Sequence, residues 1–201
     1  MFLNLNTLLK EGCSSFFTST HNAMKQRAFQ IGVMGSCADL VYSPTIQTLA
    51  ETVGEEIAKA GAILLFGAEK DLDSLSSAAC RGAKRYNGFV VGITYGSDMN
   101  GVVEQQADAI VTAGMGRGGG REFVLVSSCD AIICLNGGSG TLTEIAIAYQ
   151  ANIPIIAMAN TGGWSERLAG TYLDERKRVH IETATTAQEA VELALRLAKQ
   201  R

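Results

Sequence analysis

Asp130-Ala131-Ile132-Ile133-Cys134-Leu135-Asn136-Gly137-Gly138-Ser139-Gly140-Thr141-Leu142-Thr143-Glu144 joins an unbroken apolar run to a glycine-rich turn and then a helical pattern. Apolar residues without alternation indicate a strand buried on both faces, as in a parallel sheet covered by helices. The same grammar repeats on either side. Toward the N-terminus, Ile31 to Gly35, Ala62 to Gly67, Phe89 to Ile93 and the shorter Ala109 to Val111 read as strands. Toward the C-terminus, Pro154 to Met158 and a short run at Val179 to Ile181 follow. Helical patterns fill the gaps. Ser43-Pro44 opens one with an apolar face of Ile46, Leu49, Val53 and Ile57, stopped by Gly61. Others span 73–86, 121–128, 141–150 and 187–199. Strands alternating with helices predict one doubly wound parallel sheet, a Rossmann-like three-layer α/β domain over residues 29–201. Residues 1–28 read as an N-terminal extension ahead of it.

Composition agrees with one domain. The 201 residues are 47% apolar and 18% charged, enough to bury a core. Twenty-two glycines against 2 prolines exceed and undercut the averages of about 14 and about 10 for this length. The surplus glycine therefore serves tight turns. A net charge of −3 and a pI near 5.4 argue against a nucleic-acid surface. No run reaches the 18 or so apolar residues of a membrane helix. Five widely spaced cysteines without a CxxC, and two distant histidines, suit neither a disulfide framework nor a metal site. Reduced thiols in a cytoplasmic compartment are expected. The Ser/Thr-rich extension, with Lys10, Lys25 and Arg27 against Glu11, leaves organelle targeting as the alternative.

Ligands of such folds bind at the carboxyl ends of the strands, where loops enter helix N-termini. Gly137, Gly138, Ser139, Gly140 and Thr141 form one such loop, neither a Walker loop nor a GxGxxG fingerprint. Its glycines let backbone N–H groups approach a phosphate at the positive end of a helix dipole. Glu144 projects from the first turn toward the same mouth, where the dipole favours an ionised carboxylate. A second loop, Gly114-Met115-Gly116-Arg117-Gly118-Gly119-Gly120-Arg121, offers two guanidinium forks for an anion. Cys37 and Trp164 lie near enough in the pattern to touch a ligand, although burial as a small residue is the better reading of Cys37, and packing or a subunit contact explains Trp164 at least as well.

Gly137 to Glu144, with Arg121 ahead of them and Asp130 opening the intervening strand, resembles the "lonely guy" (LOG) superfamily and its R…PGGxGTxxE signature. The match extends from Gln30 to about Met158 and includes Gly35-Ser36 and Arg81-Gly82-Ala83-Lys84. Thr112-Ala113-Gly114-Met115-Gly116 looks most like the branch containing molybdenum-cofactor carrier proteins. The resemblance implies cleavage of a nucleoside 5′-monophosphate at its N-glycosidic bond. Arg121 and Glu144 would be the catalytic pair, residues 137–141 the phosphate site, and Gly35, Ser36, Met115 and Arg117 further ligand contacts. The alternative is a non-catalytic carrier or sensor of a phosphorylated cofactor. No cofactor is required for the chemistry, and the bound species would be a nucleotide or a molybdopterin-type ligand. Lysine decarboxylation is rejected, since no lysine stands in a pyridoxal-phosphate context.

Two positions depart from the superfamily pattern. Asn136 replaces the proline before the glycines. The glycine-rich loop after the second strand reads Gly67-Ala68-Glu69-Lys70-Asp71-Leu72-Asp73, whose acids oppose a phosphate. Glu122 adds another acid beside Arg121. Related proteins are dimers or larger, and Leu142, Ile145, Ala146, Ile147, Ala148 and Tyr149 make the Glu144 helix apolar on several faces. A homodimer or higher oligomer with this helix near the interface is therefore expected.

Overall fold

The computed structural model describes residues 27–37, 39–68, 73–96, 107–115 and 120–201. Most of the N-terminal extension, the greater part of the loop after the second strand, and Arg117 lie outside these residues. Seven strands form one sheet: β1 (Gln30–Gly35), β2 (Ile63–Gly67), β3 (Val90–Thr94), β4 (Ala109–Thr112), β5 (Ala131–Leu135), β6 (Ile155–Met158) and β7 (Ile181–Ala184). Six helices accompany them: α1 (Pro44–Lys59), α2 (Leu75–Arg85), α3 (Arg121–Ser127), α4 (Ser139–Gln150), α5 (Gly163–Leu168) and α6 (Ala187–Ala198). The strand order is β4-β3-β2-β1-β5-β6-β7, with every pair parallel. The fold is the expected Rossmann-like α/β sheet.

Side chains of successive strand residues alternate between two cores, as the pleat demands. Ile31 and Val33 of β1, with Ala131, Ile133 and Leu135 of β5, enter the core beneath α1, α2 and α6. Met34, Ile132 and Cys134 enter the opposite core, beneath α3, α4 and α5. Asp130 fastens the start of the central pair. Its carboxylate accepts both Arg27 guanidinium N–H groups, at 2.6 and 2.7 Å, and the Gln30 amide at 2.8 Å. Much of α4's apolar circumference is covered within one chain, since Ile145, Ile147, Ala148 and Tyr149 are buried.

The main differences from the sequence expectation lie at β7, α5 and α4. The short strand is Ile181–Ala184 rather than 179–181, and α5 had no counterpart. Helix α4 also begins at Ser139, two residues early, which puts Ser139 and Gly140 inside its first turn.

The helix caps divide by face. On one face, Ser43, Ser74 and Thr186 accept a backbone N–H into the first turns of α1, α2 and α6. On the other, Gly120, Gly138 and Gly162 cap α3, α4 and α5, and a glycine offers no side chain to accept from the first turn. In α5 the leading amides are taken, since Trp164 and Ser165 donate to the carbonyls of Gly137 and Asn136, whereas the first turn of α4 keeps its amides for other partners.

Candidate functional site

The reversal of strand order between β1 and β5 opens a crevice at the carboxyl edge of the sheet, the usual ligand site in this architecture. A cavity of about 380 Å³ fills it. Gly35 and Ser36 from the end of β1, Gly120 to Phe123 from α3, and Gly138 to Thr141, Thr143 and Glu144 from α4 line its walls. Asp39, Leu40 and Tyr95 complete the rim. The volume suits a mononucleotide-sized ligand, within the roughly 300–1,000 Å³ of small-molecule pockets.

The cradle is held by a strut that begins at Asn136. Its φ of +54° and its donating backbone N–H both exclude proline, so the departure from the superfamily signature has a physical cause. The Asn136 amide donates to Thr161 Oγ1 at 2.9 Å, and its Nδ2 donates to the Thr161 carbonyl at 2.6 Å. Its Oδ1 accepts from Ser36 Oγ at 2.7 Å and from the Gly137 amide at 2.8 Å. The Gly137 amide is shared with Ser36 Oγ at 2.9 Å. Ser36 and Gly137 thus act inside the loop, bracing it from β1. The donors left toward the cavity are those of α4's uncapped first turn. At Gly140 an added Cβ would meet nothing within 4 Å, so a ligand has room to approach that backbone.

Arg121 is buried, as are Glu122 and Glu144. Its guanidinium lies on the Tyr95 ring, 4.0 Å from the centroid. Its other side sits against Gly67, where a Cβ would come within 2.5 Å of Nη1. Nη2 stands 4.0 Å from Glu144 Oε1 and 3.6 Å from Glu122 Oε1. Tyr95 Oη donates to the same Glu122 oxygen at 2.8 Å. The site therefore couples two carboxylates through one cation. That arrangement can hold a phosphorylated group at the amides while presenting carboxylate charge to the rest of the ligand.

Of the residues singled out from sequence, Gly35, Ser36, Gly138, Ser139, Gly140, Thr141, Arg121 and Glu144 surround this one cavity. Gly137 lies behind it. Met115 is 41% exposed and packs against Gly120 without lining it, and Arg117 lies outside the described residues. Cys37 lines the cavity. Trp164 carries the Arg167 guanidinium 5.0 Å from its ring centroid. Asp73 turns to Arg81, 2.9 Å away, rather than toward the cavity; Glu69 and Asp71 lie outside the described residues. Tyr95, Leu40 and Phe123 were not legible. Tyr95 follows a strand in an unpatterned turn, and only the folded chain brings it under Arg121.

Burial pushes the Cys80 thiol up to about 11 and raises Cys129 and Cys134 as well, the latter two also opposed by the Glu144 charge. Among the described residues, no group of three or more His, Cys, Asp or Glu side chains gathers to hold a metal ion. No helix among them is long and apolar enough to cross a membrane.

Residues 28–191 match the family model described as LDcluster4, SLOG cluster4 family. An uncharacterized protein of Archaeoglobus fulgidus is 36% identical over 126 residues, which cover 62% of this chain and 76% of that one. Two solved structures are similar over nearly their whole length. One is the molybdenum cofactor binding protein of the phototrophic bacterium Rippkaea orientalis, with TM-score 0.71 and 26% identity over 86% of this chain and 98% of that one. The other is the molybdenum cofactor carrier protein of Chlamydomonas reinhardtii, with TM-score 0.71 and 25% identity over 86% and 99%.

Proposed function

From the premise that this chain belongs to the SLOG cluster4 family, we propose that it binds a small phosphorylated ligand of nucleotide or molybdopterin type, and holds it as a carrier does. One observation carries this reading. The glycine-capped N-termini of α3 and α4 meet at a single cavity that also contains Arg121. The first-turn amides of α4 and its helix dipole favour an anion there. The ligand's phosphate sits on the backbone of residues 138–141, with its ring toward Arg121, Glu122 and Phe123. The similarity to molybdenum cofactor binding and carrier proteins supports the carrier role.

A second reading, N-glycosidic hydrolysis of a nucleoside 5′-monophosphate, draws on the placement of Glu144 beside Arg121. Cleavage passes through an oxocarbenium-like state, which a nearby carboxylate stabilises. The base departs with the bonding electrons and takes up a proton, and water adds at the anomeric carbon.

Mass spectrometry of ligand released from the purified protein, with base release measured across nucleoside monophosphates, separates the two. A tightly co-purifying phosphorylated ligand without turnover is expected. Turnover lost in Glu144→Gln with binding unchanged would instead establish the hydrolase, because that pattern marks a contact made in the transition state. Absence of any ligand and of any affinity for phosphorylated compounds would refute both readings. We also propose a homodimer or higher homo-oligomer in solution, and a monomer by light scattering at micromolar concentration would refute it.

A further inference from the structure

We propose that Glu122 reads the ligand's ring, and selects the 2-amino-4-oxo edge that guanine and pterins share. This rests on the pocket reading above and specifies which ring the pocket takes. Glu122 lines the cavity, yet its side chain is only 10% exposed. Its Oε1 accepts from Tyr95 Oη at 2.8 Å and faces Arg121 Nη2 at 3.6 Å. Its Oε2 takes no hydrogen bond among the described residues. Oε2 opens to the cavity rather than being buried without a partner, so a ligand ring that displaces its water must supply a donor in place of that water.

The chemistry of the donor follows from the acceptor. An ionised carboxylate only accepts. The ring N–H and the exocyclic amino group of a 2-amino-4-oxo ring are adjacent donors, so they meet a carboxylate as a matched pair. Adenine offers one amino donor beside a ring nitrogen whose lone pair would face the carboxylate. The adenine ring is therefore rejected at the same position, because its mismatch leaves both a buried acceptor and a ring nitrogen opposed. Tyr95 acts as a positioning residue: its hydroxyl holds Oε1, which fixes the carboxylate plane and leaves Oε2 toward the ligand.

The test is calorimetric titration of the full chain with GMP, neopterin monophosphate, IMP and AMP. GMP or the pterin phosphate should bind roughly 10- to 100-fold more tightly than AMP, the range of one hydrogen bond to a charged group. IMP, which lacks the 2-amino group, should fall between them. Tight binding of GMP alone identifies a guanine nucleotide as the source of the ring, and tight binding of the pterin alone identifies a pterin. Glu122→Gln presents one donor and one acceptor, which match adenine, so the GMP-to-AMP preference should collapse or invert. A purely structural role for Glu122 would weaken all four ligands together and leave their ratio unchanged, which overturns the assignment. A wild type that binds AMP as tightly as the tighter of GMP and neopterin monophosphate overturns the inference while the pocket reading stands. Failure of all four ligands to bind overturns both. The wild-type ratio decides the matter even if the variant fails to fold.

Discussion

Helices α1 and α2 cross so closely that Gly54 and Gly82 have no room for a side chain. A Cβ at Gly82 would lie 1.8 Å from the Glu51 carbonyl oxygen, and one at Gly54 would lie 1.9 Å from that of Ala79. Both obstacles are backbone, which no rotamer change removes. Gly82→Ala must therefore drive the helices apart by roughly 1.5 Å, an overpacking cost of about 3 kcal/mol. Helix propensity acts in the opposite direction, since alanine in a helix interior gains about 1 kcal/mol over glycine. A net loss of about 2 kcal/mol is expected. For a chain of this length that lowers Tm by about 4–8 °C in differential scanning calorimetry. The sign is the decisive quantity. A variant with unchanged or raised Tm would mean that the close crossing is not what this interface requires, and the reasoning would fail.

Gly140→Ala should do the reverse. Nothing lies within 4 Å of the added methyl, so Tm rises by a degree or more through reduced chain entropy, while ligand affinity falls because the methyl enters the cavity wall. Equal affinity in calorimetry would separate that amide from the ligand site. The Arg27 guanidinium beside Asp130 holds its carboxyl below the usual carboxylate range. A depressed folded pKa contributes stability that is present above about pH 4 and is lost as pH falls through the folded value. Asp130→Asn should then be less stable than wild type at neutral pH, by under about 1 kcal/mol for so exposed a partner, and converge with it in acid urea melts. A gap that stays constant down to the acid limit would refute the linkage. Tyr149 is fully buried, donates to Asp174 and accepts the Arg178 amide at 3.1 Å. Tyr149→Phe should cost about 1 kcal/mol, and hydrogen exchange should quicken around Arg178; unaltered exchange there would count against it.

The central strands were legible because β1 and β5 are covered on both faces, which leaves continuous apolar runs at Ile31 to Met34 and Ala131 to Leu135. Strand β7 sits at the sheet's edge and carries Glu182 and Thr183, so its apolar signal is broken and Val179 drew the expectation two residues early. Helix α5 has six residues and a glycine cap, too short for a helical period to emerge. The cradle and the Arg121–Glu144 pair could be read because local spacing places them at neighbouring helix starts. The Tyr95–Arg121–Glu122 stack and the Asn136 strut could not, since each depends on contacts between distant segments that carry no local pattern.

The bond from Ser36 to Asn136 joins residues 100 apart in the chain, and the central parallel pair spans a similar distance. Closing so long a loop is slow and entropically costly, so this junction should be among the late events of folding. Strands β1 to β4 can pair progressively as the chain emerges from the ribosome, but the cavity has only one wall until β5 and α4 arrive. Neither half of the protein contains the whole ligand site. A ligand present during synthesis can thus engage only molecules whose last long-range closure has occurred, and its stabilisation falls on finished protein rather than on intermediates.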